Sequence, residues 1–353
     1  MAGAPIDIIL FAPLAPLLGV LLFWFIQLLF IESNKYFLGK IGKKHEPLLR
    51  FTNFIGILFQ TICHALGFTV TKSGIAHFKV TVHHGVVKPK KEKKGVFEWV
   101  ANTFLFLGPF FIPSAIIMIA AVFLIGSYPI AIPVDYTFAE GLINFGENLF
   151  HFSQQFFSFL AGIDFLDPRH LGFTLLLIFL GMGMRPSYIG EKPRKKVDMI
   201  YDLTNIKNHL VSKPLYLVLF FLVVYDFFYT SVLLQHPFFI LVFSLFGWFS
   251  IIALVSIIVS HLIIALIYST DMLPSPWSKI PFIMIPMSYV GFRTLFVFFP
   301  LGDFTTSVSL ILMIITVIGV ILILFYYKTN KFKTRTKMEA KRVKDGPKRI
   351  IRE

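Results

Sequence analysis

Long apolar runs alternate with short polar stretches along almost the whole chain. A helix rises about 1.5 Å per residue, so about 20 apolar residues cross the roughly 30 Å of bilayer hydrocarbon. Seven runs meet or approach that length: residues 8–30, 104–125, 171–184 with some extension upstream, 215–235, 238–268, 281–300 and 305–327. An eighth run, 51–69, is shorter and is interrupted by Asn53, Gln60 and His64. Two other stretches have their own period. Residues 69–87, "TVTKSGIAHFKVTVHHGVV", are rich in β-branched residues, partly alternate, and read as a short hairpin beside the membrane. In residues 138–160, Leu142, Phe145, Leu149, Phe152, Phe156, Phe159 and Leu160 fall at helical spacing, with Glu140, Asn144, Glu147, Asn148 and Gln155 between them. That pattern predicts an amphipathic helix on the outer face, its phenylalanine stripe against lipid or the bundle.

Charge sets the expected orientation, because lysine and arginine collect in cytoplasmic loops. Residues 33–50 hold five and residues 70–96 hold seven, including the cluster "KPKKEKK" at 88–94. Residues 127–167 hold none, 185–214 hold seven, 271–280 one, and the tail 328–353 eleven. If every apolar run crossed, the two lysine-rich loops flanking 51–69 would lie on opposite sides. A segment 51–69 that dips in and returns, or lies partly embedded, puts all basic loops on one side. The expectation is therefore a multi-pass protein of the cell membrane with its N-terminus outside and C-terminus cytoplasmic. Its fold class is an all-α polytopic membrane protein with about seven transmembrane helices, one re-entrant or partly embedded helix and a small β-hairpin insert.

Composition agrees with that class: 56% hydrophobic residues, 43 phenylalanines, 15% charged residues and a mean hydropathy of +0.76 do not suit a water-soluble globule. The net charge of +14 sits in blocks beside the apolar runs. Anionic lipid headgroups account for it, at about 1 kcal/mol per basic residue near the surface, and no base-reading module accompanies it. No nucleic-acid partner is expected. A single cysteine, Cys63, excludes an intramolecular disulfide framework.

The chemistry of interest begins at residues 61–70, "TICHALGFTV". An early helix carrying H-x-L-G is followed by a strand-rich insert and then by "NTFLFLGPFF" at 102–111. This resembles the M50, or site-2-protease-like, membrane metalloproteases over residues of about 52–214. In that family the first core helix carries H-E-x-x-H, a β-hairpin follows, a later helix begins near a glycine-proline step, and an aspartate from a further helix completes the metal site. By that resemblance His64 stands at the first histidine and Leu66 and Gly67 at the L-G, while Ala65 replaces the glutamate and Phe68 the second histidine. In "GMRPSYIG" at 183–190, Gly190 stands where the aspartate is expected. A catalytic zinc needs about three protein ligands and a base for its bound water. Phenylalanine and alanine supply neither, so the resemblance implies a non-catalytic pseudoprotease scaffold that binds a membrane-protein or peptide partner, with no cofactor.

Other readings attach to other residues. A rebuilt metal site would draw on His64, His77 and His83; on a strand the last two point to one side and His84 to the other. Asp226, His261 and Arg293 fall inside apolar runs, where an ionisable group needs a partner or water. Asp226 and Arg293 could pair between helices or mark the path of a transporter or channel, and an intramembrane zinc protease with rearranged ligands is the remaining alternative. In the mixed-charge loop 185–214, Arg185, Pro186, Ser187, Asp198, Asp202 and Asn205 could dock a cytoplasmic partner or close over the cleft beside His64. The organisation expected is a membrane region 1–214 holding the protease-like core, a three- or four-helix region 215–327 and a basic tail 328–353.

Overall fold

A computed structural model describes residues 10–41, 44–82, 84–125, 138–184, 207–208, 211 and 213–344. Hydrocarbon offers no hydrogen bonds, so each segment that enters it must satisfy its backbone internally, and the apolar runs form helices. In chain order these are α1 (Leu14–Ile41), α2 (Glu46–Val70), α3 (Val96–Ile125), α4 (Phe138–Ala161), α5 (Pro168–Gly183), α6 (Pro214–Leu233), α7 (Phe238–Asp271), α8 (Ile280–Phe298) and α9 (Thr305–Lys344). Strands β1 (Ile75–Val80) and β2 (Gly85–Pro89) pair antiparallel between α2 and α3. The protein is an all-α polytopic membrane protein with one small hairpin. Among the described residues, six helices are long and apolar enough to cross a bilayer, and α3 makes a seventh if its two halves, bent by 53°, count as one span. The break precedes Gly108 and Pro109; proline removes an intrahelical hydrogen bond and is a usual cause of such a kink.

The helices group into two compact units. One comprises Met1–Leu160 and Asp164–Ala265, the other Ala161–Ile163 and Leu266–Glu353. In the second unit α8 and α9 pack as a pair, Ser307 donates to the Ala161 carbonyl at 2.8 Å, and Lys328 donates to the Met272 carbonyl. The outward faces of α9, with Ile311, Ile315, Ile318 and Leu322 exposed, suit contact with lipid tails.

The first unit holds two departures from the hydropathy reading. Residues 171–184, expected to span, belong to α5, a helix of only 16 residues. Asp167 caps its start, accepting from the Arg169 amide at 2.8 Å; the Arg169 guanidinium and that amide hold its carboxyl down at about 2. The second departure is α4. It does not lie across the outer face. Its Phe145 packs among Ala12, Val232 and Phe239, while its Phe157 and Leu160 line a cavity together with Leu254 and Val259 of α7. The stretch of α7 from Phe239 to Val259 covers about 30 Å, the depth of the hydrocarbon. The phenylalanine stripe thus faces the bundle, with Phe152 stacked on Trp248 at 5.0 Å between ring centroids. Two hydrogen bonds hold it there: the Asn148 side chain, which a hydropathy average counts against the helix, donates to the Ser244 hydroxyl at 3.4 Å, and the Asn148 backbone carbonyl accepts from the Trp248 indole at 3.2 Å.

Close approach elsewhere depends on small residues. A Cβ on Gly181 of α5 would come within 2.2 Å of the Ser256 carbonyl oxygen. Across the same contact Ser256 donates to the Leu177 carbonyl at 2.5 Å and Ser260 to that of Ile178 at 2.7 Å. Gly181→Ala should therefore force backbone apart and lower stability by about 1–3 kcal/mol, the usual range for overpacking. Ser256→Ala should cost only about 0.6 kcal/mol, typical of an interhelical hydrogen bond in a membrane. Thermal unfolding of the two variants in one detergent measures the order of the two effects.

Candidate functional site

Five consecutive residues of α2 carry the degenerate motif, and packing gives each a different environment. Cys63 is fully buried against α3, where a Cβ on Gly108 would lie 2.7 Å from its sulfur. Gly67 is pressed against the Ala101 backbone, 2.7 Å from its carbonyl oxygen to a built Cβ, so the glycine of the motif is needed for the α2–α3 approach whatever the chemistry. Ala65 is buried and Leu66 exposed. His64 is half-buried and its ring stacks on that of Phe68, with centroids 4.5 Å apart and planes 29° apart. The two side chains are neighbours because residues at i and i+4 share a helix face.

The hairpin lies along that face. At 100° per residue, Asn53, Ile57, Thr61, His64 and Phe68 fall in one stripe of α2. Asn53 donates to the Val82 carbonyl in the hairpin turn at 2.6 Å, and Gly85 sits so close to Thr61 and Ile57 that a Cβ there would fall 2.0 Å from the Thr61 hydroxyl. The chain leaves α2 at Val70, turns at Gly74 with φ of +66°, a left-handed conformation that glycine adopts without strain, and returns along the helix. Ser73 and Gly74 carbonyls close the hairpin base by accepting from Lys91 and Lys90 at 3.0 and 3.1 Å. His77, Lys79 and Lys88 are exposed, and His77 stands opposite Lys88 in the register.

The start of α3 ties this assembly to the start of α6. Lys213 lies 3.5 Å from Glu98, Trp99 contacts Tyr216 edge-on at 6.3 Å, and Gly95 adjoins the Tyr216 hydroxyl. The lysine-rich hairpin region and the end of the 185–214 loop therefore meet at one end of the first unit, in keeping with a charge map that keeps basic loops together. Arg185, Pro186, Ser187, Asp198, Asp202 and Asn205 lie outside the described residues, as does His83. Among the described residues, no three of His, Cys, Asp and Glu gather where they could hold a metal ion.

The intramembrane polar residues separate. His261 pairs through Nδ1 with the Asn34 side-chain oxygen of α1 at 2.7 Å, with Phe30 and Phe37 edge-on at 6.1 and 5.3 Å. That is a complete interhelical contact. Asp226 is exposed on α6 in the first unit, and Arg293 is half-buried on α8 in the second. Sequence reasoning missed Asn34 and Gln27; the latter donates to the Ser250 carbonyl at 3.0 Å. The signal was the polar pair at seven-residue spacing on one face of α1, running beyond the apolar stretch. A cavity of about 390 Å³ between α1, α4 and α7, lined by Phe23, Phe157, Leu254 and Val255, is apolar throughout apart from Ser153, whose hydroxyl is bonded to the Leu149 carbonyl at 2.7 Å.

Compared with protein-family models, curated proteins and solved structures, the chain matches none.

The stacked pair gives a direct check of the α2 face. Phe68→His should place two imidazoles at i and i+4 and raise divalent-metal uptake above that of the unaltered chain. Removing the first imidazole as well, in His64→Ala with Phe68→His, should abolish that gain. Equilibrium dialysis with zinc on purified protein reads both.

Proposed function

We propose that this protein is a non-hydrolytic, metalloprotease-like membrane scaffold that binds a segment of another membrane protein. The observation that carries the reading is the stacking of His64 on Phe68, with Ala65 between them. Where a zinc hydrolase needs a second imidazole and a carboxylate base, this helix has an aromatic ring and a methyl group. The order α2, hairpin, bent α3 supports the likeness to the M50 proteases, because the hairpin follows the motif helix and the bend falls beside the glycine-proline step. A two-stranded sheet leaves unpaired backbone groups along its edges, which suits an extended peptide adding as a further strand.

The orientation supported by the charge map is N-terminus outside and C-terminus cytoplasmic, with the hairpin, the 185–214 loop and the tail against anionic headgroups. Protease treatment of sealed, right-side-out vesicles should leave a C-terminal tag intact; its loss reverses the orientation. A second reading, a transport path that uses Asp226, is favoured by the exposure of the Asp226 carboxyl on an otherwise apolar helix. Unchanged flux in Asp226→Asn removes it.

The main reading predicts saturable, cleavage-free binding of single-span proteins with a flexible segment beside the membrane. Replacing residues 75–89 by a Gly-Ser linker should weaken it about tenfold, or about 1.4 kcal/mol. Cleavage of the bound protein that a chelator abolishes overturns the reading.

A further inference from the structure

Helix α4 carries a stripe of polar residues that the bundle leaves uncovered. Glu147, His151, Gln154 and Ser158 are all exposed and follow one another at intervals of four, three and four residues, one continuous line on the helix. The opposite face, with Phe145, Phe152 and Phe156, is buried. Among the described residues, no hydrogen bond or ion pair engages Glu147 or Gln154. Beside the stripe, the side-chain oxygen of Gln155 is buried without a hydrogen-bond partner among the described residues.

Depth makes this stripe informative. Phe152, next to His151, stacks on Trp248, ten residues and about 15 Å from the start of α7 at Phe238. That puts His151 and Gln154 near the middle of a span about 30 Å deep, while Glu147, next to the Asn148 that meets Ser244, lies about 8 Å inside its end. Ionisable and amide side chains at such depth cost a few kcal/mol each in lipid and are found against a partner or water. The only charged group on the stripe is the Glu147 carboxyl, the Gln155 amide oxygen beside it is a second unmet acceptor, and no lysine or arginine on α4 answers either.

We propose that the stripe Glu147–His151–Gln154–Ser158 is the docking face for a transmembrane helix of another protein that carries a lysine or arginine within the bilayer. A second copy of this chain is the poorer occupant. Copies inserted with one topology can form a closed pair only about an axis normal to the membrane, and that axis sets Glu147 against Glu147. Lipid tails satisfy none of these groups. The proposal rests on the partner-binding reading for the existence of a partner, and not on the hairpin or the protease likeness.

The test uses full-length protein in phosphatidylcholine vesicles, with a donor dye at Phe150→Cys beside the stripe, and acceptor-labelled leucine-alanine single-span peptides. The peptides carry a central lysine, a central glutamate or neither. The expected result is energy transfer to the lysine peptide at about tenfold lower peptide density than to the neutral one. Glu147→Gln should erase that preference and Glu147→Asp should keep it. Equal transfer to all three peptides, or a lysine preference that survives Glu147→Gln, overturns the proposal. So does transfer between differently labelled copies that Glu147→Gln strengthens, which would assign the face to a second copy. Rapid labelling of Gln154→Cys by a membrane-impermeant thiol reagent overturns it in favour of a water-filled groove. Hairpin-dependent binding of single-span proteins is measured separately, so either reading can fail while the other stands.

Discussion

Inside a bilayer a polar side chain has no water to fall back on, and in the first unit α7 gathers a row of polar contacts from other helices. Gln27 of α1 reaches the Ser250 carbonyl, Asn34 meets His261, Asn148 of α4 meets Ser244 and Trp248, and Ser256 and Ser260 reach back to carbonyls of α5. Each bond is modest, about 0.6 kcal/mol on average in membranes. Their effect is chiefly on register, because a donor that slips by one turn leaves a buried group unpaired. Three helices from distant parts of the chain are thus indexed against one long helix, and the short α5 and the polar α4 hold their places through it.

This seam explains what could and could not be read from sequence. The apolar runs give α1, α6, α7, α8 and α9 almost directly, since length and hydropathy are what a bilayer selects. The hairpin was legible from its β-branched residues and its flanking glycines. Residues 171–184 form a helix shorter than expected, and residues 138–160 lie along α7, because hydropathy treats every polar residue as a cost. Asn148 is a cost to an isolated helix and a contact to a helix lying beside Trp248 and Ser244. Residues 51–69 are the start of the same lesson: α2 runs 25 residues, long enough to span, yet Asn53 and Thr61 serve the hairpin along its flank.

The candidate site was legible as a motif and illegible as an environment. The likeness of residues 64–68 to a metalloprotease helix, with Ala65 and Phe68 in place of a base and a ligand, is an expectation from ten letters of sequence. That Phe68 covers His64, and that Gly67 and Cys63 are held by the approach of α3, requires the packing. Gly67 and Cys63 thus have structural roles of their own: a side chain at Gly67 would strike Ala101, and Gly108 fills the space beside Cys63.

The polar character of α4 has a consequence for how the chain is made. Its partners in α7 lie 96 and 100 residues further along, so they do not yet exist when α4 leaves the ribosome. A helix with Glu147, His151 and Gln154 on one side gains little from entering lipid alone. It has to wait at the membrane surface, or beside the insertion machinery, until α7 arrives to pair with it. Biogenesis of this protein is then not a sequence of independent insertions but contains one deferred step, whose timing is set by the length of chain between Asn148 and Trp248.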